Sequence, residues 1–170
     1  DYASSERACE TAQRLLEHPD YSTRRREYAF SLALGRGLAI QNQHGRVREA
    51  LPHLTQALSL ATLSKNADDI ALTLVNLGWA HYQAGDAPAA KPLLERVLRE
   101  TPTSMYVLPA TLSLGDIACG EGAYDEARRR FETGRALAAK LTGEGSPRQR
   151  HFDDRLAMLE KTDGERCSRP

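Results

Sequence analysis

The chain has 170 residues, enough for one domain or one run of stacked repeats, and two independent domains are not expected. Its 23 basic and 23 acidic side chains cancel, which removes any overall pull toward nucleic acid or an anionic membrane; no apolar run nears the roughly 20 residues of a bilayer span, and DYASSERACE lacks the basic-then-apolar pattern of a leader. Cys9, Cys119 and Cys167 are odd in number and far apart, with no Cys-x-x-Cys, which favours reduced thiols in a cytoplasmic protein over a disulfide framework or a zinc site, while Arg over Lys and abundant Ala suggest a bacterial, GC-rich coding bias.

Apolar periodicity and stop signals predict eight helices, over about 3–17, 23–43, 47–64, 67–84, 88–100, 104–120, 124–141 and 147–160, and no strand. The first carries Ala8, Ala12 and Leu15 and runs into Pro19. The second opens on Arg24, Arg25 and Arg26, cations at the unfavourable end of the helix dipole: they are either a solvated fan balanced by Glu27 or a contact for an anionic partner. It carries Leu34-Gly35 and is closed by Gly45. The third has Ala50, Pro52 and Leu54, and a slight bend is expected at the proline.

Asn66 caps the fourth helix, with Asp69 at its third position. Leu74, Leu77 and His81 share one face of it, and Gly78 is small where a neighbouring axis must approach. Gly85 permits the left-handed conformation that ends it, and Asp86 with Pro88 starts the fifth, which carries Ala90, Pro92 and Leu94 and is closed by Pro102. Thr103 is the candidate cap of the sixth helix, which carries Leu114-Gly115 and stops at Gly122. The seventh has Asp125 and Glu126 in its first turn, then Ala127 and Phe131, while Arg128, Arg129 and Arg130 spread around a turn as a solvated face. In the eighth, Ser146, Pro147 and Gln149 form a capping box before the stripe Phe152, Leu156 and Leu159. Residues 163–170 are expected to fray.

The same device recurs three times: Leu-Gly, a Gly turn, an alanine, and a large apolar residue four positions later (Leu54, Leu94, Phe131). This resembles the tetratricopeptide repeat, in a long form, since the Leu-Gly pairs lie 43 and 37 residues apart; such long repeats look like those of bacterial multidomain signalling regulators and some scaffold proteins. The resemblance implies an all-α, right-handed superhelical solenoid of antiparallel helix pairs with a C-terminal capping helix. It divides the chain into the second helix of a truncated preceding repeat (1–20), repeats over 21–65, 66–102 and 103–142, a capping helix (143–162) and a tail (163–170), a layout suggesting a piece of a larger protein.

In such arrays the first helices of successive pairs line a concave groove. Positions offset from the Leu-Gly stripe are then candidates for a peptide or protein: Arg36, Ile40 and Gln43; Leu72, Val75, Asn76, Trp79 and Gln83; Leu112, Asp116 and Cys119. Trp79 lies about 100° around from Gly78, and is either an anchor in the groove or packed between neighbouring first helices. Asn76 matches the asparagine with which many members hold a peptide backbone or carboxylate. The flanking cations of the chaperone-binding members are absent, Leu32, Pro109 and Ser113 standing in their places and Arg36 in that of another asparagine, so an apolar peptide is expected rather than a chaperone tail.

No nucleophile-base or metal-ligand spacing occurs among the histidines and cysteines, His81 reads as a hydrogen-bonded core residue, and GEGSP lacks the Lys-Ser/Thr of a phosphate loop. The chain is therefore expected to be a non-catalytic binding module without cofactor or metal, contacting neither nucleic acid nor membrane, whose partner is a protein, a peptide or an adjacent domain. An effector-sensing domain of a bacterial transcription regulator, and a spacer that self-associates through the ends of the array, are the other readings.

Overall fold

Every regular element among the described residues is an α-helix, as the apolar periodicity requires. A computed structural model describes residues 1–18 and 22–161, the side chains of 22–27 excepted; Pro19, the side chains of Arg24 to Arg26, Cys167 and the 163–170 tail lie outside what is described. The helices are α1 (Tyr2–Leu16), α2 (Ser22–Gln41), α3 (Val47–Ser64), α4 (Ala67–Gln83), α5 (Ala87–Glu100), α6 (Val107–Gly120), α7 (Tyr124–Thr142) and α8 (Pro147–Lys161). The chain forms two compact units, residues 1–90 and 91–170, and α5 crosses the boundary. In the first, α1 packs on α2, α2 on α3 and α3 on α4, with a lighter contact of α2 with α4; in the second, α6 packs on α7 and α7 on α8. Helices joined by turns of a few residues and packed on one another run antiparallel, so each unit is the stack of helix pairs expected of a helical repeat.

The glycine turns do what their spacing requires. Gly45, Gly85 and Gly122 have φ of +78°, +83° and +77°, a region closed to most side chains. After α4 the Gly85 amide donates to Tyr82 O and the Asp86 amide to His81 O, and after α6 Gly122 and Ala123 donate to Cys119 O and Ala118 O. These paired bonds satisfy carbonyls the helix leaves free. The starts follow suit. Asn66 Oδ1 accepts from the amides of Asp68 and Asp69, Asp86 Oδ1 from Ala89, and Ser146 Oγ from Gln149, whose own Oε1 accepts from Gly145. Thr103 is not a cap, contrary to expectation: successive turns carry the chain over 101–107, and α6 starts only after Tyr106, which makes no side-chain cap.

The repeated residues form the core. Ala50, Ala90, Ala127, Leu54, Leu94 and Phe131 are all fully buried, as are Leu74 and Leu159, and Phe152 is 1 % exposed. At about 25 cal/mol per Å² of apolar surface, each phenylalanine contributes roughly 2–3 kcal/mol by leaving water. The phenylalanines also decide where helices may touch. A Cβ at Gly115 would meet the Phe131 ring at 2.3 Å, and one at Gly134 the Phe152 ring at 2.2 Å, so each ring lies directly on a neighbouring backbone. In the first unit the residue in this role is Gly37, whose Cβ would meet Leu54 Cδ2 at 2.7 Å; Gly35, the expected one, faces Cys9 Sγ of α1 at 3.4 Å. The cause is the longer connection after α2, residues 42–46 against 84–86 and 121–123, which changes the face that α2 turns toward α3.

Two further expectations are corrected. Cys119 is disulfide-bonded, and only Cys9 is a free thiol among the described residues. His81 is half-buried rather than core, its Nδ1 3.4 Å from Asp86 Oδ2 without the alignment of a hydrogen bond.

Candidate functional site

The α4 helix buries one side completely, through Ala71, Leu74 and Ala80, with Leu77 nearly so. Leu72, Asn76, Trp79 and Gln83 recur at three- and four-residue intervals on another face. All but Gln83, which is exposed, are half-buried. The indole of Trp79 is tilted 49° against the ring of Tyr82, with centroids 5.4 Å apart. Two aromatic side chains thus present one apolar area with an N–H and an O–H on it, the composition of an anchoring site. Asn76 Nδ2 donates to Leu72 O of its own helix at 2.8 Å, so its amide is turned along α4. Val75, 8 % exposed, belongs to the core and not to the face.

The α2 candidates separate. Ile40 is buried, and Arg36 and Gln43 turn toward α1. Arg36 Nη2 donates to Glu10 Oε1 at 2.9 Å, and Gln43 Nε2 to Glu6 Oε2 at 2.6 Å. Arg46 joins the second contact, donating to Glu6 at 2.7 Å and to Glu49 at 2.7 Å. These donors hold the Glu6 carboxyl down at about 2, chiefly through the Arg46 hydrogen bond and then that of Gln43. No residue of α1 is fully buried, and these polar contacts join it to α2 and the turn that follows, beside the half-buried Ala3, Cys9, Ala12 and Leu16. Arg36 also lines a cavity of about 230 Å³ with Gln13, Leu32 and His53, where burial and the Arg36 charge hold the imidazole below its usual range.

On α6, Leu112 is half-buried against the core of the second unit. Asp116, 4 % exposed, is engaged by α8: Arg155 Nε donates to Oδ1 at 2.6 Å and Nη2 to Oδ2 at 3.2 Å. Burial pushes the Asp116 carboxyl up, against the opposing pull of Arg155. Cys119 is 7 % exposed and disulfide-bonded. Helix α8 therefore engages one of the three α6 candidates, and the core takes in Cys119 and part of Leu112. The face brought together is that of α4: Leu72, Asn76, Trp79 and Gln83, with Tyr82 and Gln41 added.

Those two were not singled out in the sequence. Tyr82 stands one helical turn from Trp79, and Gln41 one repeat before Gln83, to which its Nε2 donates at 3.2 Å, so both had a positional signal. Among the described residues no helix is long and apolar enough to cross a membrane, and no group of three or more His, Cys, Asp or Glu is gathered as for a metal ion.

Family models described as tetratricopeptide repeat match residues 28–99 and 75–140. None of the curated proteins compared matches the chain.

Proposed function

We propose, from the premise that residues 28–140 are tetratricopeptide repeats, that the chain is a non-catalytic protein-interaction module that docks a peptide or a neighbouring domain on the half-buried Trp79 face of α4. The separation of the Leu-Gly pairs, 43 and 37 residues, supports repeats of the long kind. The observation that carries the reading is the Trp79–Tyr82 pair, half-buried on a helix whose other side is sealed in the core. A rigid aromatic pair loses little conformational freedom on binding and offers a partner's apolar side chain a large contact. Leu72 extends that surface, and Gln83 supplies a polar edge.

The test uses the single tryptophan as its own probe. A displayed library of 12-residue peptides is selected on the protein, and the selected peptides are titrated while Trp79 emission is followed. Saturable binding with a shifted emission is expected, and Trp79→Ala should weaken it about 30-fold or more, the effect of a hot-spot residue worth about 2 kcal/mol. Binding that persists in Trp79→Ala/Asn76→Ala, read by calorimetry, places the site elsewhere.

A further inference from the structure

The docking stripe of α4 has an acidic start. Asp68 and Asp69 stand four and three residues before Leu72, one to each side of the line that continues through Asn76, Trp79 and Gln83. Asn66 caps the helix, its Oδ1 accepting from the amides of both acids, so the cap does not call on the Asp69 carboxylate. That carboxylate makes no hydrogen bond or ion pair. Asp69 is half-buried with its oxygens open to solvent, so an incoming group can reach them.

The charges nearby fix the sign of that group. The positive end of the α4 dipole is equivalent to about half a charge, which two carboxylates outweigh. Lys65, one turn earlier, forms no ion pair with Asp69. Arg36 of α2 is held by Glu10 of α1, and His81 stands about two and a half turns from Leu72, on the far side of α4. Beyond its two acids the stripe carries no charge, since Leu72, Asn76, Trp79 and Gln83 are all neutral.

We propose that Asp69 receives a cationic side chain of the docked segment, so that the partner is a peptide with a Lys or Arg four residues from a large apolar side chain. Asp69 precedes Trp79 by ten residues, about 15 Å along the helix. An extended chain advances about 3.3 Å per residue and returns to the same side at every second one. Four residues, about 13 Å, therefore set a cation near Asp69 when the apolar side chain lies on Trp79 and Tyr82, and the length of a Lys or Arg side chain covers the difference. The inference rests on the docking reading of α4 and adds to it the sign and the spacing of the partner.

The experiment titrates the full chain, at low ionic strength, with the acetylated and amidated peptides TKTSTLT and TLTSTKT while Trp79 emission is followed; the tighter order is carried forward. Replacing its lysine by norleucine should weaken binding about threefold or more, and by glutamate about tenfold or more, with both differences largely lost in high salt. Moving the lysine to three residues from the leucine should act like norleucine. In Asp69→Asn the lysine peptide should fall to the level of the norleucine one, and Asp69→Lys should invert the order in favour of glutamate. Peptides selected from the displayed library should likewise carry Lys or Arg four residues from a large apolar residue.

A lysine preference that is absent in the parent, or that survives Asp69→Asn, overturns the proposal. So does a preference that appears only when Arg24, Arg25 and Arg26 are all replaced by alanine, because the arginines that open α2 then already occupy the acid. Library peptides that perturb Trp79 without a cation at that spacing remove the cation position alone; if no peptide perturbs Trp79, the docking reading falls with it.

Discussion

Two glycines that occupy the same place in the repeat motif should respond to the same substitution with opposite sign. At Gly115 an added Cβ would lie 2.3 Å from Phe131 Cε1, 2.7 Å from Cδ1 and 2.9 Å from Cζ. Carbon atoms rest about 3.5–4.0 Å apart, so the ring or the helix must move by roughly 1 Å. Phe131 is fully buried and a ring is rigid, which leaves helix displacement as the way out. Overpacking of this kind costs about 1–3 kcal/mol, and a blockage by a whole ring belongs at the upper end. Alanine recovers up to about 1 kcal/mol through its better helix propensity. Gly115→Ala should therefore lose about 2 kcal/mol. At Gly35 the nearest atom is Cys9 Sγ at 3.4 Å, an ordinary contact, so Gly35→Ala should gain about 0.5–1 kcal/mol. Urea unfolding followed by far-ultraviolet circular dichroism measures both, and Gly115→Ala/Phe131→Leu should show a favourable coupling of at least about 1 kcal/mol. A Gly115→Ala protein as stable as the parent, or a Gly35→Ala protein that falls as far, refutes the account of how these helices touch.

Three other outcomes follow from the geometry. Gly85→Ala should lose about 1 kcal/mol in the same unfolding assay, because φ of +83° strains any residue with a Cβ. Arg155→Met should destabilise by about 3 kcal/mol, the low end for breaking a buried pair, since it withdraws the guanidinium from the buried Asp116 carboxylate, and Asp116→Asn in the same chain should restore part of the loss. Glu6 titrates near 2 when folded against 4.5 when free, so its attachment of α1 is fully present above about 4.5 and is lost as the pH falls toward 2. Amide exchange in α1, corrected for intrinsic rates, should accelerate over that window relative to α3, and Glu6→Gln should flatten the difference; exchange in α1 that ignores Glu6→Gln removes Glu6 from the attachment.

Much of the fold was legible because its signals are local. A helix end is written in the residues that cap it, as with Asn66, Gly85 and the Ser146–Gln149 box, and the stripe Phe152, Leu156 and Leu159 declares which side α8 buries. The candidate site was less legible because it depends on how far each helix is turned about its axis. Two extra residues between α2 and α3 were enough to put Gly37 where Gly35 was expected and to leave Arg36 and Gln43 facing α1. A clue was present: Gly37 stands 17 residues before Leu54, closer than Gly35 to the 16 that separate Gly115 from Phe131. The pairing of Asp116 with Arg155 and the oxidation of Cys119 joined residues through space, where no local signal reaches.

The two ways of filling a glycine notch have unequal mechanical consequences. Phe131 and Phe152 are flat plates with few torsions, so sliding α7 along α6, or α8 along α7, by one residue drives a ring into a side chain and the helices behave as though pinned. At the α2–α3 seam the same notch holds the branched end of Leu54, which can swing to another rotamer and let the seam shear before it breaks. Compliance in this protein is thus graded, with the softer joint at α2–α3 beside the polar attachment of α1 and stiffer joints at α6–α7 and α7–α8.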